Sequence, residues 1–279
     1  KSIIDDKIPF LGEIPYVSKL DEKTLLGVSV GDRSILQESM RMIISNLSFV
    51  TKSNPKNNCF LVTSSIKGEG KTLISVNYAA SIASGGSKVL LLGADLRNPQ
   101  LHKFFEEDKS KLKGISDYIY GKNLKWRDLI YNKDISFDIL FSGSIPPNPT
   151  ELLASEKFTD LLKQLRGVYD HIIIDSAPCL LVSDTFEIST YADKTIYIVR
   201  ANHTATEITS FINENYIDHK LPKISIVLNS VGSSSAYGYK YGYQYGYKYG
   251  YKYGYNYGYG YGYSESASWL FIEISYYFQ

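Results

Sequence analysis

The sequence predicts an α/β domain with a doubly wound, mostly parallel sheet, and three observations carry that prediction. Short apolar runs of strand length (CFLVTSS, KVLLLGAD, HIIIDSAP, TIYIVRAN, ISIVLNS) alternate along the chain with segments of helical period. These runs are nearly continuous in apolar residues, as strands covered on both faces by helices must be. The first run passes through a glycine-rich turn into a helix and then into a second strand, which is a βαβ unit and therefore a parallel pair.

Taken in order, residues 1–30 mix short apolar pieces (IPFLGEIPYV) with charges, hold no sustained period, and read as a linker able to dock on the domain surface. The segment SILQESMRMIISNLSFV carries Ile35, Met42, Ile43, Leu47 and Val50 near helical spacing. CFLVTSS, the helix LISVNYAASIAS and KVLLLGAD make the βαβ unit. FDILFSG, HIIIDSAP, TIYIVRAN and ISIVLNS follow as strands, separated by amphipathic segments such as TELLASEKFTDLLKQLRGVYD and EITSFINENYIDH. Five to seven parallel strands are expected, with ligands beyond their carboxyl ends. After Ser230 the composition changes to Gly-Tyr repetition, which predicts a disordered tail. The final SESASWLFIEISYYFQ is short and apolar and supports no specific reading. The expected organisation is a linker over 1–30, a folded domain over 31–235 and a Tyr/Gly-rich tail over 236–279.

Composition narrows the function. With 279 residues, 44% of them hydrophobic, the chain can bury one full α/β core and carry appendages. Thirty basic against 29 acidic residues give a formal net charge of +1, so nothing global points to nucleic acid. Cys59 and Cys179 form neither a metal-ligand spacing nor a disulfide framework, which favours a reducing compartment, and Cys59 reads as core. No apolar run reaches the roughly 18 residues of a membrane span. The chain begins at Lys1 and so reads as processed or as a fragment, with room for an anchor upstream.

The chemistry concentrates at strand ends. SSIKGEGKT, from Ser64 to Thr72, follows a strand and opens a helix, the setting in which backbone amides and a helix N-terminus surround phosphates. The loop residues are Ser65, Ile66, Lys67, Gly68, Glu69, Gly70, Lys71 and Thr72. Lys71 would neutralise the β and γ phosphates of ATP and the Thr72 hydroxyl would ligate Mg²⁺. The pattern is a deviant Walker A, because Ser65 stands where the first glycine belongs. Asp175 ends the strand of HIIIDSAP and can hold Mg²⁺ through water, with Pro178 stiffening the loop that follows. Asp95 ends a further strand in VLLLGADLRNP, with Arg97 two residues on. Lys, Thr and two Asp residues at three strand ends make a coherent nucleotide and magnesium site, although each alone is weak.

These residues resemble the bacterial tyrosine kinases, the cytoplasmic kinase domains that accompany capsule and exopolysaccharide export. The resemblance runs from about residue 9 to the tyrosine cluster. It rests on the deviant Walker A, an apolar strand before a DxDxR-like segment, a Walker B ending in DxxP, PPNPTELL from Pro146 to Leu153, and LGEIP from Leu11 to Pro15. It implies that Lys71 and Thr72 are the P-loop lysine and magnesium hydroxyl, that Asp175 is the Walker B acid, and that Asp95 and Arg97 are the second acid and arginine of DxDxR. Asn229 matches an asparagine that the wider class uses to read adenine, or is a polar strand cap. Glu38 and Arg41 match part of an oligomerisation motif whose last arginine is here Ile44, or are a solvated pair on one helix face. Gly93 occupies the place of the first acid of DxDxR, so one carboxylate is missing. Lys67 replaces a frequent proline and either adds a phosphate contact or is solvated.

The resemblance further implies a ring-like, phosphorylation-sensitive homo-oligomer at the cytoplasmic face of the inner membrane. It also implies an upstream transmembrane co-polymerase region in cis or in trans, and a tyrosine phosphatase. The expected substrate is the tail, whose acceptors are Tyr237, Tyr239, Tyr241, Tyr243, Tyr245, Tyr247, Tyr249, Tyr251, Tyr253, Tyr255, Tyr257, Tyr259, Tyr261 and Tyr263. Two other readings remain at this stage. One is a P-loop ATPase switch of the partition-ATPase type without kinase activity; the other is a self-associating protein whose alternating Tyr and small residues pair as strands.

Overall fold

The computed structural model describes residues 4–16, 35–51 and 58–232. One sheet of eight strands forms its centre: β1 (Phe10–Pro15), β2 (Asn58–Ser64), β3 (Val89–Gly93), β4 (Ile130–Tyr131), β5 (Asp138–Leu140), β6 (His171–Asp175), β7 (Lys194–Arg200) and β8 (Ile224–Val231). They lie in the order β1-β8-β7-β2-β6-β3-β5-β4, and every pairing is parallel except β4 with β5. The helices are α1 (Ile35–Thr51), α2 (Lys71–Ala83), α3 (Ile115–Tyr120), α4 (Pro149–Leu153), α5 (Glu156–Arg166), α6 (Asp184–Ser189) and α7 (Thr209–Ile217).

The strands are buried on both faces because successive side chains feed two separate cores. Cys59 and Leu61 of β2 join Phe158 and Leu161 of α5, Ile188 of α6 and Ile212 of α7 on one face. Phe60 and Val62 join Leu36 and Met40 of α1 and Ile74 and Tyr78 of α2 on the other. The doubly wound architecture expected from the apolar runs is therefore present.

Three local expectations need adjustment. The apolar stripe of α1 is Leu36, Met40, Ile43 and Leu47, a spacing of four, three and four, while Met42 is half-buried and Val50 is exposed. The segment TELLASEKFTDLLKQLRGVYD splits into α4 and α5, because Ser155 adopts an extended backbone and its side chain caps α5 by accepting from the Phe158 amide at 3.2 Å. Residues 4–16, expected within a linker, are instead part of the fold. β1 pairs with β8 along Phe10–Pro15, and Ile4, Ile8, Leu11 and Ile14 are fully buried. LGEIP supplies two apolar side chains that cover the sheet edge under α1, which is what a short sequence window could not show. Residues 17–34 of the expected linker and the tail tyrosines lie outside the described residues. No helix among the described residues is long and apolar enough to cross a membrane.

The edge strand should therefore carry stability. Leu11→Ala is expected to cost about 2–4 kcal/mol in urea denaturation, whereas Tyr16→Ala, at an exposed position one residue past β1, should stay within about 0.5 kcal/mol. Equal small effects at both positions would show that β1 is not part of the cooperative unit.

Candidate nucleotide and phosphoryl-transfer site

The loop between β2 and α2 sits at the carboxyl end of a central strand flanked by β6 and β7. Gly68 and Gly70 have φ of 88° and 99°, left-handed conformations that glycine adopts without a steric penalty. At Gly70 a side chain is excluded twice over, since a Cβ there would lie 2.2 Å from Asn229 Nδ2. The outer side of the turn is pinned by neighbouring strand ends. His203 Nε2 lies 3.0 Å from the Lys67 carbonyl, Arg200 Nη1 donates to the Gly68 carbonyl at 2.7 Å, and Asn229 Nδ2 donates to the Glu69 carbonyl at 2.8 Å. With three successive carbonyls held outward, the loop can present its amides inward, toward the N-terminus of α2.

Lys71 is almost fully buried and donates to Ser64 Oγ at 3.1 Å. Burial pushes its ammonium down, and the charges of Asp175, Asp95 and Glu69 oppose that shift. Asp175 ends β6 and is also buried. Burial pushes its carboxyl up to about 7, against the charge of Lys71 and hydrogen bonds from Thr72 and Ser75. Asp95 is half-buried beside it: the amides of Ala94 and Asp95 donate to the Asp175 carbonyl at 2.8 and 3.1 Å, and Asp95 Oδ1 accepts from the Asn98 amide at 2.9 Å. Lys71, Thr72, Asp175 and Asp95 thus converge at the ends of β2, β6 and β3. This donor set fits a nucleotide with a divalent cation: loop amides and an ammonium for phosphate, and a hydroxyl with two carboxylates for the metal.

Other expected residues have different surroundings. The Arg97 guanidinium forms a bidentate pair with the buried carboxylate of Asp184 on α6, at 2.7 and 2.9 Å, donates to Thr150 Oγ1 at 3.1 Å, and also feels the charge of Asp95. Thr150 in turn donates to Asp184 at 2.6 Å. Arg97 therefore ties the loop after β3 to PPNPTELL. Asn229 serves the P-loop carbonyl and accepts from the Ser230 amide at 2.8 Å. Ser65 lies within hydrogen-bond distance of the buried Tyr197 hydroxyl, at 2.8 Å, below the loop. Lys67 is exposed at the tip, and Ile66 is half-buried. Glu38 and Arg41 pair with each other on the exposed face of α1.

At Gly93, which is opposite Asp175 in the β3–β6 register, a Cβ would stand 3.2 Å from Leu101 Cδ2 and 3.3 Å from the Ser142 amide nitrogen. A side chain at Gly93 would press against Leu101. Sequence reading missed Ser64, Ser75, Thr150, Asp184, Arg200, His203 and Thr204. Ser64 and Ser75 were accessible to it, as the first residue of the loop motif and the residue one turn after Thr72; the rest lie far along the chain from the groups they touch.

The fold and this site define a P-loop NTPase-like domain with a deviant Walker A. A family model described as an AAA domain matches residues 60–219. The chain is 30% identical over 209 residues to the tyrosine-protein kinase YwqD of Bacillus subtilis, covering 74% of this chain and 87% of that protein. It is 31% identical over 204 residues to the putative tyrosine-protein kinase AmsA of Erwinia amylovora, covering 72% of this chain but only 28% of that much longer protein. The kinase domain of the Escherichia coli tyrosine kinase ETK superposes with a TM-score of 0.73 at 26% identity, over 86% of this chain and 98% of that domain. The chain belongs to the bacterial tyrosine-kinase family.

The raised carboxyl of Asp175 has a signed consequence. Its folded value lies above the ordinary carboxylate value, so its stabilising contribution is complete below about pH 4 and is lost as pH rises to about 7. In EDTA, the stability of Asp175→Asn relative to the unmodified protein should therefore increase between pH 5 and pH 8, by on the order of 1–4 kcal/mol. Parallel urea midpoints at the two pH values would show that Asp175 titrates normally.

Proposed function

We propose that this chain is an ATP- and Mg²⁺-dependent protein tyrosine kinase that autophosphorylates its C-terminal tyrosine cluster in trans between subunits. The observation that carries this reading is the convergence of Lys71, Thr72, Asp175 and Asp95 in a chain of this family, followed in sequence by fourteen tyrosines. Phosphoryl transfer asks mainly for position and charge stabilisation. Lys71, held by Ser64, is placed to take up charge on the transferring group. The P-loop amides orient the phosphates, and Asn229 keeps one amide hydrogen for a purine edge. Bound Mg²⁺ would neutralise phosphate charge, with Thr72, Asp175 and Asp95 to hold it. Asp95, the more exposed acid, orients the tyrosine hydroxyl, whose ordinary pKa near 10 makes it a weak nucleophile at neutral pH. Arg97 supports Asp95 by fixing the loop that carries it.

Each phosphate adds about −1.5 to −2 charges at pH 7, so a few overturn the positive balance of Lys240, Lys248 and Lys252 and drive subunits apart. On this reading the chain forms a phosphorylation-sensitive ring through the α1 face that bears Glu38 and Arg41. It acts beside a transmembrane co-polymerase at the inner membrane, is reset by a phosphatase, and regulates capsule or exopolysaccharide polymerisation and export. A nucleotide switch without kinase activity is the second reading, and it is favoured by the packing of Leu101 against Gly93.

Intact mass spectrometry before and after ATP and Mg²⁺ separates the two. The kinase reading expects a ladder of phosphate additions on the tail that disappears in Asp175→Ala; hydrolysis without any addition establishes the switch. For transfer between subunits, Lys71→Met protein is mixed with a separately tagged active copy. Phosphotyrosine is expected on the inactive copy, and its absence sinks transfer in trans.

A further inference from the structure

Glu69 is a carboxylate inside the phosphate loop, fully buried, where the nearest expected ligand is itself anionic. Its two oxygens are both engaged. Oε2 accepts from the Ile66 amide at 2.6 Å across the turn, and Oε1 accepts from the Thr204 hydroxyl. Thr204 is buried as well, and its Oγ1 accepts from the Arg200 amide at 2.9 Å. A hydrogen-bonded chain therefore runs from the backbone at the end of β7 through Thr204 to Glu69 and on to the start of the P-loop. Arg200 and His203, from the same five-residue segment, reach the next two loop carbonyls.

We propose that Glu69 and Thr204 are positioning residues for the nucleotide: a carboxylate–hydroxyl brace that holds the P-loop in its phosphate-receiving shape before nucleotide arrives. Buried polar groups in such a network are costly unless all are satisfied, and here each defined partner is in place. The brace also turns the Ile66 amide into the loop, leaving the amides nearer α2 to face phosphate. This inference rests on the nucleotide-binding reading above and concerns only how the empty loop keeps its form.

A loop that samples other shapes binds with an affinity reduced by the fraction that is competent, while the saturated complex is unchanged. Thr204→Val, which keeps the shape but removes the hydroxyl, should therefore raise the KM for ATP about tenfold and leave kcat within about twofold. Thr204→Ser should restore KM. Exchange of the Ile66 amide, followed by NMR on the nucleotide-free full chain, should be slow in the unmodified protein and at least tenfold faster in Glu69→Ala. If Thr204→Val does not fold, Thr204→Ala, which also removes the hydroxyl, takes its place with the same expected rise in KM. An unchanged KM in these variants, a loss confined to kcat, or no rescue by serine overturns the brace. Failure of the unmodified chain to bind ATP in calorimetry instead overturns the nucleotide reading on which the brace depends.

Discussion

The constraint on which the rest of this structure depends is the burial of a lysine and a carboxylate at the carboxyl ends of adjacent parallel strands. Lys71 and Asp175 are each less than a tenth exposed, and neither can be desolvated cheaply without partners. The fold answers with short-range support. Ser64 receives the ammonium, Thr72 and Ser75 reach the carboxylate from the first turns of α2, and Asp95 and Glu69 add charge from two sides. A parallel sheet is well suited to this, since all its carboxyl ends lie on one side and adjacent strands are about 4.8 Å apart. Three strand ends can therefore gather four polar side chains while the middles of the strands below them stay apolar.

That division explains why much was legible in the sequence. Strands such as HIIID and VLLLG are buried on both faces, so continuous apolar composition identified them without any partner being known. The polar residue that breaks each run marked the strand end and hence the site. Less legible were features decided by distant pairing. β1 looked like linker because only Leu11 and Ile14 are fully buried in it, at a spacing of three across an irregular register with β8. The Arg97–Asp184–Thr150 cluster joins positions separated by as many as 87 residues, and no local pattern indicates it. Arg97 illustrates the difference: motif spacing singled it out two residues after Asp95, and its guanidinium pairs with Asp184.

β1 also matters to the site through β8. Ile14 is the register partner of Asn229, whose side chain holds the Glu69 carbonyl and fills the space above Gly70. The edge strand thus supports the outer side of the P-loop through one intervening strand. It is also the strand from which the chain continues toward residues 17–34, while β8 is the strand from which it continues toward the tyrosines. Both continuations leave from paired positions, Pro15 opposite Val231, with the Tyr16 amide bonded to the Val231 carbonyl at 3.0 Å.

Gly93 gives the site no acid beside Asp175. In the register of β3 and β6 it faces Asp175, so a carboxylate here would add a second like charge beside a group that burial already pushes toward neutrality. With no side chain there, Asp175 is spared this repulsion, and Asp95 is left as the more solvated acid nearby. Fewer carboxylates mean a weaker attraction for a divalent cation, and also less negative charge facing an incoming phosphate. On the kinase reading proposed above, the fourteen tyrosines and three lysines between Tyr237 and Tyr263 would bring acceptors and positive charge to a site with fewer acids.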